Sequence, residues 1–200
     1  MEQRYNITTL EAIARKVLKE YNPALLLGTP CAVPIEKIAR YLGLHIEYQC
    51  LRKNGVILGE MVYDETYVPM YFRDVKAYEL VLISGGTIIL DESLLRGRGD
   101  GRLRFTCAHE IAHWILHKAI YAGTGQTAAL VNSKKSSEEN PVIERQADIL
   151  ATALLMPSAQ VKKAFYSIRN TVNDPAAALA ELFEVSKQAM TIFLREHSLV

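Results

Sequence analysis

Apolar residues recur at three- and four-residue steps in several separate segments of the chain, and this period is typical of amphipathic helices. The segment Thr8-Thr9-Leu10-Glu11 has the pattern of a capping box, which predicts a first helix from there to about Glu20. Pro34 favours the start of a second helix, Ile35–Tyr41, and Gly43 favours its end.

Two pairs of short apolar segments predict antiparallel hairpins. Residues 45–51 and 56–63 have the pattern of strands joined at Asn54-Gly55, a dipeptide that favours tight hairpin turns. Residues 78–83 and 87–90 are expected to form a second hairpin across Ser84-Gly85-Gly86. Because helices and antiparallel strands occur in separate blocks, we predict an α+β fold with a small antiparallel or mixed sheet packed on helices.

The segment after these strands predicts a helix that carries a possible metal site. Two histidines, His109 and His113, lie one helical turn apart in the pattern H-E-x-x-H, so their imidazoles can bind one ion. Glu110, between them, can reach a water held by that ion. An apolar stripe places both histidines at its edge, and its members are Ala108, Ile111, Ala112, Ile115, Leu116 and Ala119.

A catalytic zinc ion usually has three protein ligands. His117 is excluded as the third, because it lies two turns from His109, about 12 Å along a helix, whereas zinc–nitrogen bonds are about 2 Å. A second helix between Asn140 and Pro157 offers Glu144 as a ligand. Asp148, four residues later, can accept a hydrogen bond from a ligand histidine. The alternative is that both carboxylates lie on a solvated, charged face.

These motifs resemble the ImmA/IrrE family of zinc metallopeptidases in order, spacing and flanking residues. The resemblance rests on Arg104-Phe105-Thr106-x-Ala108-His109-Glu110-x-x-His113, on Glu144-Arg145-Gln146-Ala147-Asp148 and on Leu154-Leu155-Met156-Pro157. It implies a zincin-like fold with His109, His113 and Glu144 as Zn²⁺ ligands, Glu110 as general base, and Asp148 as the outer partner of His109. It also implies a protein substrate, commonly a helix–turn–helix transcriptional repressor supplied in trans.

The C-terminal residues raise the question of DNA binding. Asp174-Pro175 predicts a helix to about Phe183, and Ser186 can cap a further helix to Glu196. Residues 174–200 would thus form a helix–turn–helix-like hairpin, with a core of Leu179, Leu182, Val185, Met190, Phe193 and Leu194. Its second helix has only a thin basic face, and helical hairpins are common packing units. We therefore expect it to be part of the peptidase and do not expect direct nucleic-acid binding.

Composition sets the remaining expectations. Two hundred residues with a net charge of +1 fit a single domain, residues 1–200, with no strong attraction to nucleic acid or anionic membranes. Three widely spaced cysteines argue against a disulfide framework, and we interpret Cys107 as a buried small residue. The chain lacks the pattern of a signal peptide or a membrane span, so a cytoplasmic location is the simplest expectation. The oligomeric state is not predicted.

Three further segments invite functional hypotheses. The hairpin ending at Leu90 is a candidate edge strand over the cleft, to which an extended substrate could add through its backbone. Arg96, Arg98, Arg102 and Arg104 form a cluster that we interpret as a solvated loop rather than a phosphate site. Residues 123–140 are expected to be a crossing between the two metal helices that could serve as a lid.

The preferred hypothesis is a zinc-dependent endopeptidase of regulatory type. Glu110 would take a proton from the attacking water and pass it to the leaving amine, while a further donor stabilises the oxyanion. The donor is left open among His117, Tyr121, Arg145 and Tyr166. The rival hypothesis is a non-catalytic, zinc-containing transcription regulator that binds DNA or a protein partner through the C-terminal hairpin.

Overall fold

The computed structural model describes residues 4–52, 57–96, 101–123 and 141–200, and within them it has the predicted α+β architecture. The helices are α1 (Ile7–Tyr21), α2 (Ala24–Leu27), α3 (Ile35–Tyr41), α4 (Arg102–Tyr121), α5 (Pro141–Leu155), α6 (Ser158–Ile168), α7 (Pro175–Phe183) and α8 (Lys187–Glu196). The strands are β1 (His45–Gln49), β2 (Gly59–Val62), β3 (Thr66–Phe72), β4 (Ala77–Ile83) and β5 (Thr87–Asp91), and a short 3-10 helix (Glu92–Leu95) follows them.

A three-stranded mixed sheet has the order β1-β5-β2, so β5 is its central strand. Ile88 pairs with Ile46 of the parallel strand β1 and with Met61 of the antiparallel strand β2. The predicted hairpin between residues 45–51 and 56–63 is therefore wrong, because β1 and β2 lie on opposite sides of β5. Every residue of β5 is buried, and a run that is apolar on both faces favours a central position.

The second predicted hairpin, between residues 78–83 and 87–90, is also wrong. Strand β4 pairs antiparallel with β3 in a separate two-stranded sheet, in which Pro69 lies opposite Leu80. The sequence pattern did not predict β3. Pro69 lies within it, and a proline inside a run argues against a strand unless that strand is at the edge of a sheet. A consequence is that β5 cannot be the substrate-binding edge, because strands occupy both of its sides.

The helix boundaries agree closely with the predictions where the signals are local. The predicted bounds of α3 are confirmed, and α7 and α8 begin after the predicted caps Asp174 and Ser186. Helix α1 starts earlier than expected, because the side chain of Asn6 accepts a hydrogen bond from the Thr9 N–H and caps it in place of Thr8. The cap proposed at Asn140, the turn at Asn54-Gly55 and most of the predicted crossing lie outside the described residues.

Helices α4 and α5 pack against each other through the main hydrophobic core. Helix α4 is buried round more of its circumference than an apolar stripe requires, since Glu110, His113 and His117 are all buried, whereas Ala119 is exposed. Strands β2 and β5 cover another side of α4. Cys107 is buried, as expected, and burial raises the pKa of its thiol to about 12. Among the described residues, no helix combines the length and apolarity needed to cross a membrane.

Candidate metal centre

Two packed helices, α4 and α5, supply the three side chains of a candidate metal centre. His109 and His113 occupy successive turns of α4, and Glu144 lies in the first turn of α5. Both helices also carry fully buried alanines at four-residue spacing: Ala108 and Ala112 on α4, Ala147 and Ala151 on α5. Small side chains at a helix contact allow the two axes to approach, which brings short ligands within reach of one ion.

The ligand atoms form a compact triangle. His113 Nε2 lies 2.9 Å from His109 Nε2, while Glu144 oxygens lie 3.2 Å from His109 Nε2 and 3.5 Å from His113 Nε2. A tetrahedral zinc ion with bonds of about 2.0–2.1 Å separates its ligand atoms by roughly 3.3 Å. The residues present therefore fit such an ion, and two imidazoles with one carboxylate form a donor set that suits zinc.

The charges of this cluster favour a cation at its centre. Burial opposes a charged imidazole, but hydrogen bonds with Asp148 and Glu144 outweigh it and raise the pKa of His109 to about 10. Burial likewise opposes the carboxylate of Glu144, yet hydrogen bonds with the two histidines hold its pKa well below the usual range. Both shifts have the same cause, the negative charge that Glu144 and Asp148 bring to the two imidazoles, and a cation bound there would compensate that charge.

Each candidate ligand histidine has a hydrogen-bond partner at its second ring nitrogen. Asp148 Oδ1 lies 3.0 Å from His109 Nδ1, and its side chain is half exposed. His117 Nδ1 lies 3.1 Å from His113 Nδ1, and His117 Nε2 lies 3.4 Å from Gln146 Oε1. The contact of His117 with His113 and the position of Gln146 were not predicted from the sequence. The available signal was the four-residue step from His113 to His117, which puts both on one side of α4.

Glu110 lies beside the triangle with its carboxylate against strand β2. The backbone N–H of Met61 donates a hydrogen bond to it, and burial raises the pKa of the group. The close approach depends on Gly59, because a Cβ there would lie 2.7 Å from Glu110 Oε1 and 2.6 Å from Thr106 Cγ2. Sequence reasoning had no signal for this contact beyond the glycine itself, which lies about fifty residues upstream of its neighbour.

Most of the residues of this centre lie in a segment that matches a known protein family. Residues 77–195 match the family described as the IrrE N-terminal-like domain, a peptidase family, which is more than half of the chain. The chain belongs to this family. The matched segment contains all four of the side chains His109, His113, Glu144 and Asp148, whereas Gly59 and Met61 lie before it. The family is described as a peptidase family, and its members are typically metal-dependent.

One similar solved structure is a Mycobacterium tuberculosis transcriptional regulator, with 13% sequence identity and a TM-score of 0.47. The alignment covers 94% of this chain and 46% of the regulator, so this chain spans about half the length of that protein. The search of curated proteins finds no significant match.

Tyr63, directly after β2, adds an unexpected group to the centre of this IrrE-like chain. Its ring stacks on Tyr121 at 5.0 Å between centroids and also faces Trp114. Its hydroxyl is buried and, within the described residues, has no hydrogen-bond partner. Burial raises the pKa of Tyr63, and the negative charge of Glu110 raises it further.

The donors considered from sequence alone lie in different places. His117 is turned toward His113, and Tyr166 on α6 is exposed, with Arg169 near its ring. Tyr121 is buried against Tyr63. Arg145 lies in the wall of a groove next to the centre.

That groove has a volume of about 720 Å³ and opens beside Asp148 and Phe105. Its walls come mainly from α1, α5 and α8, and they include Ile149, Ile192 and Phe193. The ring of Phe105 lies 6.2 Å from that of His109, which connects the groove to the candidate ligands. The family's candidate metal centre is therefore flanked by an apolar groove wide enough for large side chains.

Arg104, the last residue of the arginine cluster, does not lie in a solvated loop. Arg104 Nη2 donates to the Val33 carbonyl at 2.6 Å, and Arg104 Nη1 lies 3.1 Å from Glu184 Oε2. Its side chain is mostly buried, so it joins the start of α4 to two other parts of the chain. Arg98 lies outside the described residues.

Proposed function

We propose that this chain is a zinc-dependent endopeptidase in which His109, His113 and Glu144 hold the metal and Glu110 is the general base. The observation that carries the proposal is the triangle of three ligand atoms with a second, buried carboxylate, that of Glu110, beside it. A purely structural zinc site is closed by four protein ligands and has no use for such a carboxylate. When bound, the ion would polarise the scissile carbonyl and lower the pKa of water.

Glu110 has the position that the proton transfers require. Its carboxylate is oriented by the Met61 N–H, so it has one fixed partner and keeps acceptor capacity for the proton of an attacking water. The same carboxylate can then deliver that proton to the leaving amine. We assign Tyr63 as the donor to the oxyanion, because its buried hydroxyl has no hydrogen-bond partner in the described structure and feels the charge of Glu110.

The outer edge of β2 offers a place for an extended substrate. The Leu58 carbonyl accepts from Asp91 in β5, and the Val62 carbonyl accepts from Gly86, just before β5. The backbone groups of Gly59 and Met61 therefore face the other way, toward Glu110. A substrate strand added there would run past the metal centre with main-chain hydrogen bonds to β2 at positions other than the Met61 N–H, which donates to Glu110. This replaces β5 as the edge. Peptide binding should shift the amide resonances of residues 59–63 in NMR spectra, and unchanged resonances there would exclude this pairing.

A protein substrate is in keeping with the apolar groove, and the resemblance to the ImmA/IrrE family favours a helix–turn–helix repressor. We further propose that residues 1–200 form one domain that acts in the cytoplasm. The rival function, a non-catalytic DNA binder, is weakened by the ion pair between Lys187 and Asp174, which neutralises one of the few cations on α8.

The deciding experiment compares the wild type with Glu110→Gln. Both proteins are loaded to equal zinc content and incubated with a panel of helix–turn–helix repressors, and cleavage is followed by mass spectrometry. We expect cleavage by the wild type alone. Cleavage by both would remove Glu110 as the base, and cleavage by neither, with specific retention of DNA, would support the rival function.

A further inference from the structure

Three histidines form a ladder on α4, and the third has no role in the chemistry proposed above. His109, His113 and His117 occupy successive turns, with ring centroids 4.6 Å and 5.2 Å apart. His117 and Gln146 are among the few buried polar residues in the described structure, with 2% and 4% exposure. Burying a polar side chain costs free energy unless it is hydrogen-bonded, and His117 meets this requirement through His113 and Gln146.

The hydrogen-bond directions along this ladder follow from the acceptor at its end. Gln146 Oε1 can only accept, so His117 Nε2 carries the proton that faces it. A neutral imidazole has one donor and one acceptor, which leaves His117 Nδ1 as an acceptor. His113 Nδ1 must then donate across the 3.1 Å contact, and the lone pair of His113 lies on Nε2, the atom in the ligand triangle.

We infer that His117, oriented by Gln146, is a positioning residue that fixes the tautomer and ring orientation of His113 for metal binding. This inference rests on the proposed metal site. The two ligand histidines thus have different supports: a half-exposed carboxylate, Asp148, for His109, and a buried neutral acceptor for His113. A carboxylate at the position of His117 would add a buried charge, whereas an imidazole accepts the same hydrogen bond without one.

The affinity test uses two substitutions of His117 that differ in one respect. His117→Leu removes the acceptor, so we expect zinc affinity, measured by competition with a chromophoric chelator, to fall about 10–100-fold. His117→Asn retains an oxygen near the position of Nδ1 and should recover most of that loss. The control is Gln160→Leu, which removes another buried glutamine that donates to the Leu26 carbonyl, and it should leave zinc affinity unchanged.

The second measurement needs no variant. In the zinc-loaded, ¹⁵N-labelled wild type, an NMR coupling across the hydrogen bond should connect the Nδ1 atoms of His113 and His117. The bridging proton should be on His113 Nδ1, and the N–H proton of His117 should be on Nε2. A proton on His117 Nδ1 would overturn the inference, and so would unchanged zinc affinity in His117→Leu. A wild type that binds no zinc would instead overturn the proposed function, so the two failures are distinguishable.

Discussion

Gly59→Ala is the sharpest perturbation of the candidate centre, because it adds one methyl group against Glu110, the proposed general base. The new Cβ would lie 2.7 Å from Glu110 Oε1 and 2.6 Å from Thr106 Cγ2. Real contacts of this kind begin at 3.0–3.4 Å, so the carboxylate must retreat by 0.3–0.7 Å or α4 must move away from β2. The three atoms nearest to the new Cβ belong to Thr106 and Glu110 and not to His109 or Glu144, so metal binding should be retained.

The magnitudes follow from these displacements. Overpacking of this size costs about 1–3 kcal/mol of stability. Because a misplacement of about 1 Å near the chemistry can cost about 100-fold in rate, we expect kcat/KM to fall about tenfold or more. The assay measures cleavage of a repressor substrate by protein with one bound zinc ion per chain, and thermal unfolding gives the loss of stability.

Two companion variants separate the causes. Gly43→Ala introduces a side chain at φ +77° with no atom within 4 Å, so it should cost about 1–2 kcal/mol through backbone strain and leave cleavage unchanged. Adding Thr106→Ser to Gly59→Ala removes the Cγ2 contact alone, which should recover stability but little activity. Wild-type cleavage by zinc-loaded Gly59→Ala would refute the placement of Glu110 as base, and simultaneous loss of zinc would refute the claim that the perturbation is confined to the base.

Three further predictions concern other parts of the site. Glu144→Ala should weaken zinc binding by more than about 100-fold, since it removes a ligand rather than an outer partner, and unchanged affinity in a chelator competition would refute the ligand assignment. Tyr63→Phe should lower kcat about 100-fold at equal zinc content without loss of thermal stability, because the hydroxyl removed has no partner; an unchanged kcat would eliminate Tyr63 as the oxyanion donor. Ile192→Glu should raise KM for a protein substrate severalfold, whereas the matched change Ile120→Glu, at a similarly exposed isoleucine outside the groove, should not; equal effects would show that the groove does not bind substrate.

The features predicted correctly from sequence depend on interactions within a few residues. The ends of α3, α7 and α8 follow from caps and from residues such as Pro34 and Asp174 that act on their own turn. The spacing of His109 and His113 is also a local feature, because both residues lie on one helix. Strand pairing failed because it is non-local: the Asn54-Gly55 dipeptide favours a hairpin, but the buried run of β5 is stabilised more by having strands on both sides.

The parts of the centre that were missed all depend on contacts between distant segments. Gly59, Met61 and Tyr63 approach Glu110 from a strand about fifty residues earlier, and no pattern near the H-E-x-x-H motif indicates which strand that is. Distance along the helix predicts that His117 is not a ligand, and it lies outside the group of His109, His113 and Glu144. Its hydrogen bond to His113 required the actual ring orientations, and its second partner, Gln146, comes from another helix.

The C-terminal hairpin illustrates how these contacts bear on function. The turn between α7 and α8 packs on the start of the metal helix, where a Cβ on Gly101 would lie 2.7 Å from the Ser186 amide nitrogen. Arg104 of α4 pairs with Glu184 in the same turn, and Val185 is buried. Helix α8 then forms one wall of the groove beside the centre. The hairpin thus contacts α4 and lines the adjoining groove, so much of its surface is already in contact with the rest of the chain. This favours our proposal that residues 174–200 are an integral part of a peptidase domain.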